Sequence, residues 1–504
     1  MRLHPVQLKR VYPVIAPSTI VKSLQYLAWL FCVYSLLDEQ IDILLAAASG
    51  SDVLALLPTG FGKTISFWAL PFFFDFVFNG DPRDDENRVL SSDSTFIKPI
   101  LVVISPLNNL MQEHCAVLGK LKTALKATFL SSSQNEDVYV DVARGLYQIL
   151  YLSPERAAKE LHALFSSSLF RQRVVAVAVD EAHCILFWGN KFREQYGELF
   201  RLRVLLGSNI PFIFLTATLT MAERTTILSC FGSKRPVVVE RPANRPNFFY
   251  EVTDWYPDRW YSLVQTSLVN QPDSAPRRLV FTRTKEEGTA LSLAIADRIG
   301  QLDGKTQARR VLHLHADLAE REKAFILADF LRADSECRVL IASVIFSMGT
   351  DPKCLYHVDV IGQPVDLSIL YQQFGRPGRD GKASRATLHI KRGRQYGTKL
   401  NMKVFMQRTN CLRMLFVQHF NSSFSVSDVW PVVPGSSDSE KSASCCSVCV
   451  ERGTLHDDVE KDIEVDEEEK DDDGNEVLLD DEKAYANAAD QYYEDGYVYN
   501  PATL

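Results

Sequence analysis

The chain has 504 residues, of which 46% are hydrophobic and 23% charged, a composition typical of globular proteins of about three domains. Residues 457–504 hold 19 acidic residues and 3 lysines, whereas the other residues hold 52 Lys and Arg against 44 Asp and Glu. This mildly basic body suits a polyanionic partner, and the acidic segment is predicted to be disordered. The apolar run Leu24–Leu37 is too short for a membrane span, so we expect a buried helix there in a soluble intracellular protein.

Short apolar runs alternate with longer segments along most of the chain. Runs that are apolar on both faces are typical of parallel strands covered by helices, and here they form two sets, which predict two α/β units. Prolines mark a predicted linker between the units, Pro236–Tyr250. The first set is DVLALLP, ILVVISP, YQILYLSP, VVAVAVDE and PFIFLTAT, and the second is RRLVFTRT, ARRVLHLHA, CRVLIAS and HVDVIGQP.

Residues 57–64, LPTGFGKT, are predicted to form a phosphate-binding loop between a strand and a helix. Glycines in such a loop let backbone N–H groups approach the phosphates, Lys63 would contact the β- and γ-phosphates, and Thr64 would hold Mg²⁺. The strict pattern has glycine where Leu57 stands, so the string is a GxGKT variant. The alternative is a chance glycine-rich turn, and the acidic pair described next argues against it.

The run VVAVAV delivers an acidic pair, Asp180 and Glu181, to the carboxyl end of a predicted strand. Ligands bind at that edge of open parallel sheets. One acid would hold Mg²⁺ through water, and the next would orient or deprotonate an attacking water. An acidic pair after a strand is otherwise a solvated loop, but together with LPTGFGKT it predicts a nucleotide site.

Residues 180–196, DEAHCILFWGNKFREQY, resemble motif II and the adjoining aromatic-rich loop of the RecQ family of superfamily 2 DNA helicases. The resemblance extends from Gln40 to Cys449, about four-fifths of the chain. Further strings that resemble family motifs, in the family's order, are LVVISPLNNLMQEH, LYLSPERA, LTATL, RPANRPNFFYEV, LVFTRTKEEG, IASVIFSMGTD and YQQFGRPGRDG. The resemblance implies an α/β fold of two tandem RecA-like domains with parallel sheets and ATP in the cleft between them.

The resemblance also implies how the chain is divided. The expected segments are an N-terminal extension (1–35), the ATP-binding RecA-like domain (36–240), the second RecA-like domain (241–395), a small helical zinc-binding module (396–452) and a disordered acidic tail (453–504). Because only 55 residues follow Cys449 and 20 of them are acidic, we expect a short family form without winged-helix or further C-terminal DNA-binding domains.

The resemblance implies three groups of functional residues. The catalytic residues are Lys63, Asp180, Glu181, His183, Arg376 and Arg379. The nucleotide-binding residues are Gln40, Thr59, Gly60, Gly62, Lys63, Thr64, Gly349, Asp351 and Gln372. The residues that bind DNA or couple its binding to hydrolysis are Ser105, Pro106, Trp188, Phe192, Arg193, Thr216 and Thr218. Gln40 matches the glutamine that reads adenine, Thr64 and Asp180 would hold Mg²⁺, and Arg379 is the better match for the arginine finger.

Four of the ten cysteines have a pattern that suits a structural zinc site. Cys446-Ser-Val-Cys449 is a CxxC knuckle, and Cys411 and Cys445 complete a set of four thiolates that could hold Zn²⁺ tetrahedrally. The adjacent pair resembles the Werner-type variant of the RecQ zinc module, and NCLRMLFVQHF resembles the family's first zinc helix. The alternative is a degenerate site in a disordered serine-rich loop.

The resemblance implies an ATP-dependent 3′–5′ DNA helicase or translocase that acts on single-stranded and forked DNA in the nucleus, in DNA repair, recombination and replication. An RNA helicase and a catalytically weak scaffold protein are the alternatives. The acidic tail would compete with DNA for the basic body, bind a protein partner or only solvate the chain. Leu186-Phe187 and Asn190-Lys191 depart from the family's loop sequence, so we expect any defect in DNA coupling to originate there.

Overall fold

The computed structural model describes the chain from Ile15 to Arg452, with gaps. The described residues are 15–83, 98–106, 108–121, 123, 125–130, 136–189, 199–207, 210–271, 274–299, 310–315, 317–342, 352–391, 398–429 and 445–452. The chain divides after Arg241 into two compact units. The acidic segment 453–504, for which disorder and partner binding are predicted, lies outside the described residues.

The first unit contains a seven-stranded sheet in which all pairings are parallel. Its strands are β1 (Val53–Leu56), β2 (Ile100–Ile104), β3 (Ala127–Leu130), β4 (Ile149–Leu152), β5 (Val174–Val179), β6 (Phe212–Thr216) and β7 (Val237–Glu240). The spatial order is β3-β4-β2-β5-β6-β1-β7. The four central strands β2, β5, β6 and β1 are buried along their whole length, as both faces of a covered parallel sheet require.

Ten helices are described in the first unit. They are α1 (Pro17–Leu30), α2 (Asp38–Ala48), α3 (Lys63–Asn79), α4 (Asn108–Leu118), α5 (Glu136–Ala143), α6 (Pro154–Ser166), α7 (Ser168–Arg173), α8 (Cys184–Gly189), α9 (Phe200–Leu206) and α10 (Met221–Cys230). Most of α3 is buried, and it packs between the sheet and helices α1 and α2. This helix, which starts at the phosphate loop, is therefore anchored in an extensive apolar cluster of the unit.

The second unit contains a six-stranded sheet, also with parallel pairings throughout. Its strands are β8 (Phe248–Asp254), β9 (Arg277–Thr282), β10 (Val311–Leu314), β11 (Val339–Ala342), β12 (Leu355–Ile361) and β13 (Ser384–Ile390), in the order β10-β11-β9-β12-β13-β8. The helices are α11 (Pro257–Asn270), α12 (Lys285–Arg298), α13 (Glu320–Leu331), α14 (Leu367–Phe374), α15 (Leu400–Gln407), α16 (Leu412–Phe420), α17 (Val426–Val429) and α18 (Ser447–Arg452).

The predicted pair of α/β units with parallel sheets is confirmed, and each apolar run assigned to a strand contains one. Strands β3, β7, β8 and β13 are not predicted. Three of these lie at sheet edges, where one neighbour and one buried face require fewer apolar residues. The predicted junction of the units within Pro236–Tyr250 is confirmed, since the chain divides after Arg241, but the linker is shorter than predicted because β7 ends at Glu240 and β8 begins at Phe248.

The buried helix predicted at Leu24–Leu37 is correct only in its first half. Helix α1 ends at Leu30, with Tyr26, Leu27 and Leu30 buried, and the chain turns before α2 begins at Asp38. Among the described residues, no helix combines the length and the apolar character that crossing a bilayer would demand.

Candidate nucleotide site and cysteine cluster

The phosphate loop joins β1 to α3 through two glycines with left-handed backbones. Gly60 has φ of 81° and Gly62 has φ of 82°, values that other residues adopt only with strain. A Cβ atom on Gly62 would lie 3.0 Å from Nε2 of Gln40, so space as well as backbone conformation favours glycine. Thr59 precedes these glycines, and Lys63 and Thr64 begin α3, so the N–H groups of the first helical turn face the loop.

Gln40 is buried against this loop. Its Nε2 atom donates a hydrogen bond to the carbonyl of Gly62 at 3.1 Å, and its Oε1 atom accepts one from the N–H of Leu37 at 3.0 Å. The side chain is therefore fixed between the start of α2 and the end of the phosphate loop. This brings the residue predicted to read adenine next to those predicted to bind phosphate.

The ammonium group of Lys63 lies at the start of the loop. It donates hydrogen bonds to the carbonyl oxygens of Leu57 at 3.0 Å and Pro58 at 3.3 Å. These carbonyls orient the ammonium group that is predicted to contact the phosphates.

Asp180 and Glu181 follow β5 at the carboxyl edge of the sheet. The carboxylate of Asp180 accepts a hydrogen bond from the N–H of Glu181 at 3.0 Å. Burial, and next the charge of Glu181, raises the pKa of Asp180, while Lys63 opposes this shift. Glu181 has φ of 48°, a left-handed conformation that costs of order 1 kcal/mol or more for a residue with a side chain. Such strained backbones are concentrated at functional sites.

His183 connects this acidic pair to the end of β6. Its Nδ1 atom lies 3.0 Å from Oγ1 of Thr216 and 3.4 Å from Oε2 of Glu181. The same Thr216 oxygen accepts a hydrogen bond from the N–H of Thr218 at 3.1 Å. Burial, the largest cause, lowers the pKa of His183, which favours the neutral ring. Glu181, His183 and Thr216 therefore lie in direct contact, with the His183 ring between the other two.

Some of the predicted DNA-contacting residues lie at this edge. Ser105 and Pro106 are buried directly after β2, and the N–H of Ser105 donates to the carbonyl of Leu152 at 3.0 Å. Trp188 lies in α8, but its side chain is outside the described part of the structure, as is that of Phe187. Other predicted functional residues outside the described chain are Asn190, Lys191, Phe192, Arg193, Gly349 and Asp351.

In the second unit, Gln372 lies on α14, and Arg376 and Arg379 lie in the turn that follows, here called the motif VI turn (residues 375–381). Arg376 is buried and Arg379 half-buried. Gly378 in this turn has φ of 58°, and a Cβ atom there would lie 2.2 Å from Oγ of Ser384. No other residue fits this position without rearrangement.

The four cysteines predicted to bind zinc are brought together and fully buried. Cys411 precedes α16, Cys445 and Cys446 precede α18, and Cys449 lies in α18. Their Sγ atoms all lie within 4.8 Å of one another, and those of Cys411 and Cys445 are 3.5 Å apart. A tetrahedral zinc ion with Zn–S bonds of about 2.3 Å places its sulfur atoms roughly 3.8 Å apart, so this arrangement fits the ion.

The sequence prediction missed the residues that support the motif VI turn. Arg245 and Asn247 contact this turn, and Arg413 of α16 contacts the segment that carries them. Arg245 and Asn247 lie in RPANRPNFFYEV, whose resemblance to a family motif assigns no role to either residue. The third residue, Arg413, lies in the mainly apolar string NCLRMLFVQHF, where a lone arginine was the available signal.

Two family models match the chain in succession. Residues 38–226 match the DEAD/DEAH box helicase model, and residues 261–381 match the helicase conserved C-terminal domain. With two parallel-sheet RecA-like domains and a phosphate loop, these matches define a helicase of superfamily 2.

The curated relatives specify the family. The chain is 28% identical over 390 residues to the bifunctional 3′-5′ exonuclease/ATP-dependent helicase WRN of Mus musculus, covering 73% of this chain and 25% of the relative. It is 26% identical to the RecQ-like DNA helicase BLM of Xenopus laevis (69% and 24% covered) and 29% to the ATP-dependent helicase SGS1 of Saccharomyces cerevisiae (69% and 22%). The chain belongs to the RecQ family, and its matches span about a quarter of these relatives' lengths.

Solved structures support the fold at lower identity. The chain resembles the DEAD-box helicase Mss116 bound to single-stranded RNA, with a TM-score of 0.58, 16% identity, and 84% of this chain and 80% of that chain covered. It resembles the DUF1998 helicase MrfA bound to DNA and AMPPNP, with a TM-score of 0.59, 14% identity, and 80% and 54% covered. These likenesses concern the fold alone.

Proposed function

We propose that this chain is an ATP-dependent DNA helicase or translocase of the RecQ type, in which single-stranded DNA stimulates ATP hydrolysis and movement is 3′ to 5′. The observation that carries the proposal is the contact of His183 with both Glu181, at 3.4 Å, and Thr216, at 3.0 Å. It joins the acid predicted to act on water to the end of a neighbouring strand that is predicted to contact DNA. A change at the DNA side can therefore alter the orientation of the acid.

ATP binding is assigned to the loop and the residues around it. The loop N–H groups would hold the phosphates, with Lys63 providing the cation, and Gln40 would recognise adenine. The oxygen donors of Thr64 and Asp180 fit Mg²⁺, which supplies charge neutralisation for the phosphates when bound. Glu181 then orients and deprotonates the attacking water, since it is the less buried of the two acids.

The second unit is proposed to supply further nucleotide contacts. Gln372, Arg376 and Arg379 would bind ATP, with Gly349 and Asp351 assigned from the family resemblance. Arg379 is proposed as the arginine finger, which stabilises charge on the transferred phosphoryl group and contributes roughly 10³-fold or more to the rate.

DNA is proposed to bind along the carboxyl edge of the first sheet. The residues assigned to this contact are Ser105, Pro106, Trp188, Phe192, Arg193, Thr216 and Thr218. Cations and backbone amides bind phosphates, and aromatic rings stack on bases. Forked DNA would be the substrate for strand separation, and nuclear DNA repair, recombination and replication are the proposed setting, by analogy with the relatives.

Zinc is proposed as a structural ion in the cysteine cluster. Four buried thiolates without an ion would repel one another at these distances, and a bound Zn²⁺ removes that cost. The cluster is bound to β8, because the N–H of Tyr250 donates to the carbonyl of Cys445 at 3.3 Å. The ion would therefore fix the end of the described chain to the second sheet.

ATP hydrolysis with and without nucleic acid tests the proposed function. We expect single-stranded DNA to stimulate hydrolysis more than RNA of the same sequence, and Lys63→Ala to abolish it. Lys234→Ala, which changes an exposed lysine of the same unit, serves as the matched control and should hydrolyse ATP normally. Equal or stronger stimulation by RNA would favour an RNA helicase, and absence of Lys63-dependent hydrolysis would favour a scaffold protein.

A further inference from the structure

The guanidinium group of Arg245 holds the backbone of the motif VI turn. Its Nη2 atom donates hydrogen bonds to the carbonyl oxygens of Pro377 at 3.2 Å and Gly378 at 2.9 Å. The Gly378 carbonyl also accepts a hydrogen bond from Nδ2 of Asn247 at 2.8 Å. Because the peptide bond is planar, fixing this carbonyl also fixes the backbone nitrogen of Arg379.

A second arginine holds the segment from which Arg245 and Asn247 project. Nη1 of Arg413 donates to Oδ1 of Asn244 at 2.8 Å and to the carbonyl of Arg245 at 2.6 Å. Its Nη2 donates to the carbonyl of Phe248 at 2.5 Å. Arg413 is fully buried, and these contacts need the planar fork of donors that arginine has and lysine lacks.

Arg413 also connects this segment to the cysteine cluster. Its Nη2 atom lies 3.4 Å from the carbonyl oxygen of Cys445, and Arg413 itself lies two residues after Cys411. One buried guanidinium thus contacts the segment before β8 on both sides of Arg245 and one of the four cysteine residues.

Helix α16 packs on the motif VI helix α14 as well. The ring centroid of Phe416 lies 5.3 Å from that of Tyr371 and 6.0 Å from that of Phe374. Oγ of Ser368 and Nε2 of His419 are 3.0 Å apart. The helix that follows Cys411 therefore supports α14, while Arg245 supports the turn that follows α14.

We infer that Arg245, Asn247 and Arg413 are positioning residues for Arg379, so that the cysteine cluster sets the geometry of the motif VI turn and through it the rate of ATP hydrolysis. The inference rests on the proposed function for its kinetic consequence. The structural part of the inference does not depend on activity: Arg245 and Asn247 hold the turn, and Arg413 holds the segment that carries them. A displacement of about 1 Å at a transition-state contact reduces rates by as much as 10²-fold.

The kinetic test uses the full chain with Arg413→Lys and Asn247→Ala. We expect kcat for ATP to fall about 10- to 100-fold with KM changed less than threefold, because the turn acts on the transition state. In an Arg379→Ala background either substitution should cause little further loss, since its effect passes through that residue. Arg452→Ala, which removes a hydrogen bond to the carbonyl of Thr409, is the control within the same module.

The structural test is hydrogen–deuterium exchange of peptides that cover residues 375–384. Uptake there should rise in Arg413→Lys and Asn247→Ala and remain at the wild-type level in Arg452→Ala, with zinc content unchanged in all three. If Arg413→Lys fails to fold, Asn247→Ala decides, because Asn247 is partly exposed and its side chain donates to the carbonyls of Gly378 and Lys382 in and beside the turn. Unchanged deuterium uptake in Arg413→Lys and Asn247→Ala overturns the inference. So does a normal kcat in these variants, and so does a loss of kcat that adds fully to that of Arg379→Ala.

The two hypotheses fail in different ways. If the wild-type chain does not hydrolyse ATP, the proposed function is wrong, and the exchange measurement still decides whether these residues hold the turn. If hydrolysis is normal and depends on Lys63, but the exchange pattern is unchanged, only the inference about the arginines is wrong.

Discussion

The Nδ1 atom of His183 lies 3.0 Å from Oγ1 of Thr216, on the neighbouring strand end of the same sheet. Because Thr216 also accepts the N–H of Thr218, one hydroxyl group sets both the histidine ring and the backbone of the segment after β6. In the proposed function this hydroxyl connects DNA binding to the water-activating acid.

Thr216→Val should reduce the stimulation of ATP hydrolysis by DNA. Valine keeps the shape, but it leaves the buried N–H of Thr218 without its acceptor and Nδ1 of His183 without its hydrogen-bond partner, which costs about 1–3 kcal/mol. We expect DNA stimulation to fall about tenfold while ATP affinity changes little. Thr226→Val is the matched control, since the Thr226 hydroxyl is exposed and only contacts the carbonyl of Ala222 in its own helix. Equal stimulation in wild type and Thr216→Val would contradict the coupling role.

Gly378→Ala should destabilise the second unit more than Gly381→Ala. Both glycines have left-handed backbones, with φ of 58° and 80°, so both substitutions incur a similar strain of about 1 kcal/mol. Only the Cβ atom at 378 would collide with neighbours, at 2.2 Å from Ser384 and 2.7 Å from Asn247, whereas position 381 has open space. Urea unfolding of both variants measures the difference, which we expect to exceed about 1 kcal/mol. Equal losses would show that the crowding is relieved at no cost.

Metal analysis should find one zinc ion per chain. Cys446→Ser replaces a buried thiolate ligand and should reduce the zinc-to-protein ratio to near zero, with a clear loss of thermal stability. Cys230→Ser is the control, because Cys230 is exposed and lies outside the cluster. A wild-type ratio near zero would exclude the proposed zinc site.

The buried carboxylate of Asp359 should make the second unit sensitive to acid. Burial raises the pKa of Asp359, but Arg278, with an ion pair to Oδ2, and His389, at 2.7 Å from Oδ1, outweigh burial and hold the pKa well below its usual range. A depressed folded-state pKa stabilises the fold above the unfolded value of about 3.9, and this contribution is lost as the pH falls below it.

Asp359→Asn should therefore cost about 3–5 kcal/mol near pH 7, because it leaves the half-buried guanidinium of Arg278 without its counter-charge. The difference in unfolding free energy between wild type and variant should shrink between pH 4 and pH 2. Glu251→Gln, which weakens a more exposed pair with Arg385, is the comparison and should cost less than about 1 kcal/mol. A pH-independent difference would contradict the depressed pKa.

The sequence predicts the central strands because parallel strands between two helix layers need apolar residues on both faces. Strand β5, VVAVAV, is an example, and its buried length leads directly to Asp180. Strand β8 was not predicted, because its alternating FFYEVTD pattern reflects an edge position that depends on pairing with β13, about 130 residues later. Long-range pairing of this kind has no local signal.

The candidate nucleotide site shows the same difference between residues with a local sequence signal and residues whose contacts are long-range. The order of the motifs predicts which residues belong to the nucleotide site, since glycines, Lys63 and the acidic pair are required by local chemistry. The contacts of Arg245 and Arg413 could not be predicted in this way, because both donate to backbone carbonyls, which any residue carries. Only the folded chain specifies which carbonyls these are.

The strand order of the second sheet has a consequence for synthesis on the ribosome. Strand β8 is the first of its sheet to be made, but its partner in that sheet, β13, is completed only at Ile390. Translation proceeds at about 5–20 residues per second, so roughly ten seconds pass between the synthesis of Phe248 and the synthesis of the strand that pairs with β8. This sheet can therefore be completed only after Ile390 has been synthesised, and until then the backbone edge of β8 is open to other chains or chaperones.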